Sequence, residues 1–408
     1  MSDPTFLSAR EAAELLGVRL ETLYAYVSRG LLGSEQEQGG ARARRYRRED
    51  VLALRRRGEA KRQPAKALEA ALEGALDWGG PLLESSITAI AGGRVYYRGR
   101  DAVLLARQAS FEEVVALVWD IAPEELSPLF AAAAWPAEMG GWRRRLEALP
   151  PLEAAQALLP ILASQDPAGF DLRPAATLKT GARIAVFLAW VAAGGKKSAG
   201  GVAASLARAW SVPAEKRRLI EAALILCVDH ELNVSAFTTR CIASADAPLY
   251  GAVAGGLAAL AGSRHGGHTR RVEALLDEIG EPGRARQVLA ERLRRGEAIP
   301  GFGHPLYPQG DPRAGELLRL AGELHPAAPA VELVDALIAA AADLLGEKPT
   351  VDCGLVLAAR LLDLPRDSAL TLFGLGRAAG WIGHAREQYE KKQLIRPRAR
   401  YVGEPPLP

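Results

Sequence analysis

Three of the six histidines in this chain stand in surroundings that favour chemistry. His230 lies in VDHELNVSAFTTR, flanked by Asp229 and Glu231 with Asn233 close behind. His265 lies in GSRHGGHTRRV, just before Gly266 and Gly267. His304 lies in IPGFGHPLYPQGDPRA, framed by Gly301, Gly303 and Pro305. An imidazole beside glycine has an unblocked approach, and the adjoining backbone N–H groups can come close to a ligand. Arginines accompany them: Arg313 after His304, Arg377 after Gly374 and Gly376, and Arg396 and Arg398 in IRPRARYVG. A guanidinium fork grips a carboxylate through two parallel hydrogen bonds. Any one of these histidines alone reads as a satisfied structural residue. Together with the arginines they point to a small polycarboxylate ligand, and Asp352 in PTVDCGL offers a general base. Metal binding competes, because His265 and His268 are three apart. That pair spans Gly-Gly rather than a helix face and no cysteine joins it, so no metal is expected.

These residues need a scaffold, and composition bounds it. The 408 residues suffice for two or three domains, and 49% hydrophobic with 24% charged residues fits a globular protein with a real core. A net charge of +3 excludes a uniformly basic nucleic-acid binder, so any basic surface is local. Cys227, Cys241 and Cys353 lie far apart without metal-type spacing, as expected of reduced thiols in a cytoplasmic protein. The N-terminus has no apolar signal core, and no apolar run reads as long and uninterrupted enough to span a membrane. GAVAGGLAALAG, bracketed by Ser244, Asp246 and Arg264, reads instead as a closely packed core or dimer-interface helix.

The first sixty or so residues differ from the rest. SARE, Ser8 to Glu11, forms a capping box opening a helix that Gly17 ends. A second helix runs from about Leu20 to Ser28, punctuated by Gly30, with Leu15, Leu16, Leu23, Val27 and Leu31 as a shared core. ARARRYRREDVLALRRRG reads as a basic strand around Tyr46 followed by a short helix. A helical connector, 63–79, leads to a body that opens on short strands, Ile87 to Ile90 and Arg94 to Tyr97, around Gly92-Gly93 and then becomes all-α.

The N-terminal segment, 1–62, resembles a winged helix-turn-helix of the MerR and excisionase type. The resemblance implies that the second helix enters a DNA major groove with Arg19, Thr22, Tyr24 and Tyr26, while Arg42, Arg44, Arg45 and Arg47 contact phosphate. A solvated basic face on a packing or dimerisation domain is the alternative. Further on, VDHELNVSAF, GSRHGGH, GFGHPLYPQGDPRA, TVDCG, GRAAGWIGHAREQ and IRPRARYVG are similar, in that order, to motifs of the citrate synthase family. The match runs from about Gly80 to Gly403. It implies a helical homodimer whose large domain (80–266 and 365–408) and small domain (267–364) close over oxaloacetate and acetyl-CoA to give citrate and CoA in the tricarboxylic acid cycle, with no cofactor beyond the co-substrate.

Carried onto this chain, the resemblance makes Asp352 the base at the acetyl methyl group and His265 the donor to the thioester carbonyl. His304 binds and protonates the oxaloacetate carbonyl. His230, Arg313 and Arg377 hold oxaloacetate, and Arg396 reaches the neighbouring subunit's site. The chain departs from the family near CoA: Pro305 and Gln309 replace basic residues, Cys353 and Gly354 follow Asp352, and Arg264 precedes His265. Arg264, Gly301 and Gly303 are the CoA-side candidates. These departures leave the oxaloacetate end intact, and point to a citrate synthase, a 2-methylcitrate synthase or an enzyme splitting citryl-CoA. A transcription regulator with a ligand-sensing body is the reading from a different class.

Overall fold

The computed structural model describes residues 6–29, 31–36, 44–48, 50–52, 54, 83–196 and 200–404. The chain divides into two compact units, Met1–Glu84 and Ser85–Pro408. The connector expected at 63–79, Gly30 and Arg42 lie outside the described residues.

The first unit is a small helix-sheet module. Strand β1 (Phe6–Ser8) runs into helix α1 (Ala9–Leu16), helix α2 (Leu20–Ser28) follows, and β2 (Glu35–Gln36) and β3 (Arg44–Arg47) complete an antiparallel sheet ordered β1-β3-β2. Ser8 and Glu11 cap α1 reciprocally, and Gly17 ends it in the left-handed conformation at φ 64. Ala12, Ala13, Leu23, Leu32, Tyr46 and Val51 form the core. Leu31, expected inside, is 47% exposed, and its neighbour Leu32 takes the place. Strand β1 pairs Leu7 with Tyr46; its three residues are too few to carry a readable alternation.

The second unit opens on a three-stranded meander, β4 (Thr88–Ala91), β5 (Arg94–Tyr97) and β6 (Arg100–Asp101). Gly92 and Gly93, both at positive φ, make its first turn. The rest is helical. The elements that frame the site are α3 (Pro174–Ala192), α4 (Arg217–Leu226), α5 (Val234–Ala243), α6 (Leu249–Leu260), α7 (Gly267–Ile279), α8 (Pro312–Leu324), α9 (Val351–Leu361) and α10 (Ser368–Lys391).

Helix α10 is the axis of this unit, buried over most of its 24 residues and packed against α3, α4, α5, α6 and α9. Small residues permit the approach. A Cβ at Gly376 would collide with the Leu224 carbonyl and one at Gly380 with the Val228 carbonyl. This contact lets Arg377 Nε donate to the Cys227 carbonyl at 2.8 Å, so a guanidinium sits where α4 ends.

Helix α3 corrects one expectation. Among the described residues it is long and apolar enough to cross a membrane by length and composition, although 67% of that stretch is buried in the protein. Lys179 and Arg183 are its basic residues.

Candidate functional site

The segment after α4 builds the first wall. The helix ends at Leu226, and the chain turns through Asp229, His230 and Glu231, the last at φ 52. Asn233 then caps α5, its Oδ1 accepting from the Ser235 and Ala236 N–H groups at 3.1 and 3.2 Å. Its amide also donates to the His230 carbonyl, and Glu231 accepts from the Ile90 N–H. His230 is thereby fixed by its neighbours on both sides.

His265 sits in the turn between α6 and α7. Its Nε2 lies 2.8 Å from Ser235 Oγ, which accepts from Trp381 Nε1 on α10 at 3.1 Å. Ser235 Oγ also donates to Asn233 Oδ1 at 2.7 Å, an oxygen that can only accept, and a hydroxyl so directed accepts from both Trp381 Nε1 and His265 Nε2. In that arrangement the neutral ring carries its proton on Nε2; turning the hydroxyl towards His265 moves it to Nδ1. Burial first, then the charge of Arg377, pushes the His265 pKa down to about 3, so the ring is uncharged at neutral pH.

The loop carrying His304 is tied down at several points. Gly301 at φ 90 and Gly303 at φ 74 adopt backbone that favours glycine, and Cβ atoms there would meet Cys353 Sγ and the Glu347 side chain. The Gly301 N–H donates to His268 Nε2 at 2.9 Å, and the Gly303 N–H to the Lys348 carbonyl at 3.0 Å. The Thr350 N–H and Cys353 Sγ both donate to the Gly301 carbonyl. The N–H groups of both glycines are thus engaged within the protein, which leaves them a role of shape.

Asp311 joins this loop to the candidate base. It caps α8 and holds Arg313 through a bidentate pair at 3.0 and 2.8 Å, while its Oδ2 also accepts the Val351 N–H at 3.0 Å, one residue before Asp352. Burial alone would raise the Asp311 carboxyl; the charge and hydrogen bonds of Arg313 override that and hold it below its ordinary value. Asp352 itself lies in the first turn of α9, 8% exposed. Thr269, four residues after His265, donates to its Oδ1 at 2.6 Å, and Thr350 to its Oδ2 at 3.1 Å.

The two walls meet at the histidines. The rings of His230 and His304 lie 5.3 Å apart, edge to face, and Tyr307 packs against both, with its hydroxyl 2.6 Å from His230 Nε2. Arg313 and Arg377 are both buried here. Burial, then the charges of Arg313 and Arg377, drive the His230 pKa well below its ordinary value; burial and Arg313 lower that of His304. Two buried cations with neutral imidazoles make a pocket suited to an anion with several oxygens.

His230, His265, His304, Arg313, Arg377 and Asp352 therefore lie within contact or electrostatic reach of one another. Arg396 stands apart, exposed on the extended tail after α10, and Arg264 is exposed beside His265. Tyr307, Ser235, Thr269, Thr350, Asp311 and Trp381 escaped the sequence reading as site residues. The signal available for all six was their place inside the quoted motifs. Among the described residues no cluster of three or more His, Cys, Asp or Glu could hold a metal. Two clefts, of about 950 and 610 Å³, lie elsewhere in this unit, around Arg183 and around Arg360 respectively, so volume alone does not locate the chemistry.

The family model described as citrate synthase, C-terminal domain, matches residues 75–398. The chain belongs to the citrate synthase family. It is 30% identical over 345 residues to Citrate synthase 2 of Bacillus subtilis, covering 78% of this chain and 93% of that protein. A 2-methylcitrate synthase of Corynebacterium glutamicum is 36% identical over 197 residues, 48% of this chain and 51% of that one. Among solved structures, citrate synthase from Thermotoga maritima aligns at a TM-score of 0.68 with 28% identity, over 81% of this chain and 96% of that one. The citrate synthase of Thermoplasma acidophilum, solved with carboxymethyl coenzyme A and oxaloacetate, aligns at 0.70 with 25% identity over 80% and 95%. The body is thus a citrate synthase-like enzyme of the acyltransferase type. A helix-turn-helix family model matches residues 6–59.

In that module, Tyr24 is 51% exposed, whereas Tyr26 packs on the core. Glu35 pairs with both Arg45 and Arg47 at 3.1 Å, so the hairpin carries less unpaired charge than its sequence suggests. Arg44 is exposed and donates to Ser34.

Proposed function

We propose that the chain condenses a short acyl-CoA, acetyl-CoA in the first instance, with oxaloacetate, releasing citrate and CoA. The observation that carries this reading is the joining of a hydroxyl-anchored carboxylate, Asp352, to the neutral imidazole of His265 by the short first turn of α7. A thioester α-proton is too weakly acidic for a carboxylate acting alone. Asp352 removes that proton while His265, with the Ser235 hydroxyl turned towards its Nε2, donates from Nδ1–H to the carbonyl oxygen and shares the developing charge. A neutral donor is effective because its proton affinity stays matched to an enolate rather than to water.

The nucleophilic carbon then attacks the oxaloacetate carbonyl, whose oxygen takes a proton from His304. Arg313, Arg377 and His230 hold the carboxylate and keto oxygens. Water attacks the resulting citryl thioester, and CoA leaves. The segment 267–364 acts as a small domain that closes on the remainder, so the thioester meets water only after bond formation. A homodimer would bring Arg396 of each tail to the site of the other copy. Arg264, exposed beside His265, is the candidate contact for CoA. The thioester arrives as co-substrate, with no resident cofactor in this reading, and the free thiols suit a reducing cytoplasm.

The N-terminal module supports DNA as a further partner, through α2 and Arg44. In the test of the main reading, thiol release from acetyl-CoA and propionyl-CoA is followed with and without oxaloacetate. Oxaloacetate-dependent release from either thioester supports condensation and sets the acyl preference. Binding of oxaloacetate without release from either would turn the body into a carboxylate sensor.

A further inference from the structure

We propose that Tyr307 is a positioning residue of the dicarboxylate pocket, its hydroxyl donating to His230 Nε2 and so fixing that ring as the Nδ1–H tautomer. The inference rests on the reading of His230 as an oxaloacetate ligand. It adds a residue for which that reading has no role.

The geometry is specific. Tyr307 Oη lies 2.6 Å from His230 Nε2, and the phenol is 2% exposed. Among the described residues His230 is the hydrogen-bond partner of that hydroxyl. If the imidazole donated, the phenolic proton would be left buried without an acceptor, which is unfavourable. Donation by the phenol satisfies both groups. Burial also raises the Tyr307 pKa, so the phenol keeps its proton across the working pH range.

The ring is held as well as bonded. Tyr307 stacks at 36° on His304 with centroids 4.9 Å apart, its N–H donates to the His304 carbonyl, and the Arg313 guanidinium lies 5.6 Å from its face. One side chain on the His304 loop thus touches the groups that would flank the substrate from both walls.

The consequence is chemical. A pocket with two buried guanidinium groups gains little from a third cation, but a bound carboxylate or keto oxygen needs N–H donors. A neutral imidazole has one N–H and one lone pair. With the lone pair of Nε2 occupied by the phenol, Nδ1–H becomes the donor. Without the phenol either tautomer is available, and the wrong one presents a lone pair to an anion.

The test uses the full chain labelled with ¹⁵N-histidine, the His230 signal being assigned with His230→Asn. The wild-type protein should show His230 as the Nδ1–H tautomer, a measurement that needs no Tyr307 variant and no turnover. In Tyr307→Phe, circular dichroism and melting should stay near wild type, the His230 signal should move to a tautomer mixture, and KM for oxaloacetate should rise about tenfold. kcat should change less than KM. An Nε2–H tautomer in the wild type overturns the proposal, as does a Tyr307→Phe protein whose His230 signal or KM is unmoved. If the protein turns over no oxaloacetate, its dissociation constant replaces KM, so failure of the functional reading stays distinct from failure of this one.

Discussion

Ser235 Oγ stands 2.8 Å from His265 Nε2 and 2.7 Å from Asn233 Oδ1, so the direction of one hydroxyl proton on α5 sets which nitrogen of His265 is protonated. The proposed reaction needs that proton on Nδ1. Ser235→Ala keeps the fold but frees both tautomers, and kcat should fall about 10- to 100-fold, with the KM for oxaloacetate little changed. Steady-state kinetics on the two substrates separately checks this.

The pH dependence follows from the same ring. His265 has its folded pKa depressed to about 3 from an ordinary 6.5. Between those values the unfolded chain binds a proton that the folded chain does not. Stability therefore falls as pH drops from about 6.5 towards 3, and is insensitive to this group above 6.5. Denaturant melts of wild type and His265→Gln should differ by about one proton taken up on unfolding in that window. The activity of the wild type should show no acid limb near 6.5 arising from His265.

Arg313 and Asp311 form a buried bidentate pair, both under 5% exposed. Removing one partner strands the other. Asp311→Asn should cost about 3–5 kcal/mol of stability by urea unfolding, and also disturb the Asp352 segment through the lost Val351 contact. Arg313→Lys cannot reproduce the fork and should raise the oxaloacetate KM by one to two orders of magnitude, roughly.

The Glu35 pairs with Arg45 and Arg47 bear on DNA. Glu35→Gln in the full chain removes the carboxylate that pairs with Arg45 and Arg47, so binding to duplex DNA should tighten and its dependence on salt should steepen. Arg44→Ala should do the reverse, lowering the slope by roughly one phosphate contact. Fluorescence anisotropy across a salt series reads both.

The candidate catalytic side chains were legible because each sits in a short local motif punctuated by glycine or proline, and those punctuations held: Gly301 and Gly303 lie at positive φ, and Asp311 caps α8. Their partners were not legible. Thr269 meets Asp352 across 83 residues and Trp381 meets Ser235 across 146, contacts that exist only after helices pack. The glycines of α10 marked a close approach without saying to what. Within the module, the capping box and Gly17 fixed α1, but the inward face after α2 fell on Leu32 rather than Leu31 because a one-residue shift in a loop leaves no periodic trace. The hairpin arginines read as a free basic patch, since the register that sets Glu35 opposite Arg45 depends on a pairing no local pattern specifies.

CoA thiol release from acetyl-CoA by the full chain, wild type beside Asp352→Ala, with oxaloacetate present and absent, reads condensation directly. Condensation gives release only with oxaloacetate, and a loss of roughly a thousandfold or more in Asp352→Ala while oxaloacetate still binds. Release that ignores oxaloacetate, or that survives loss of the Asp352 carboxylate, would contradict it.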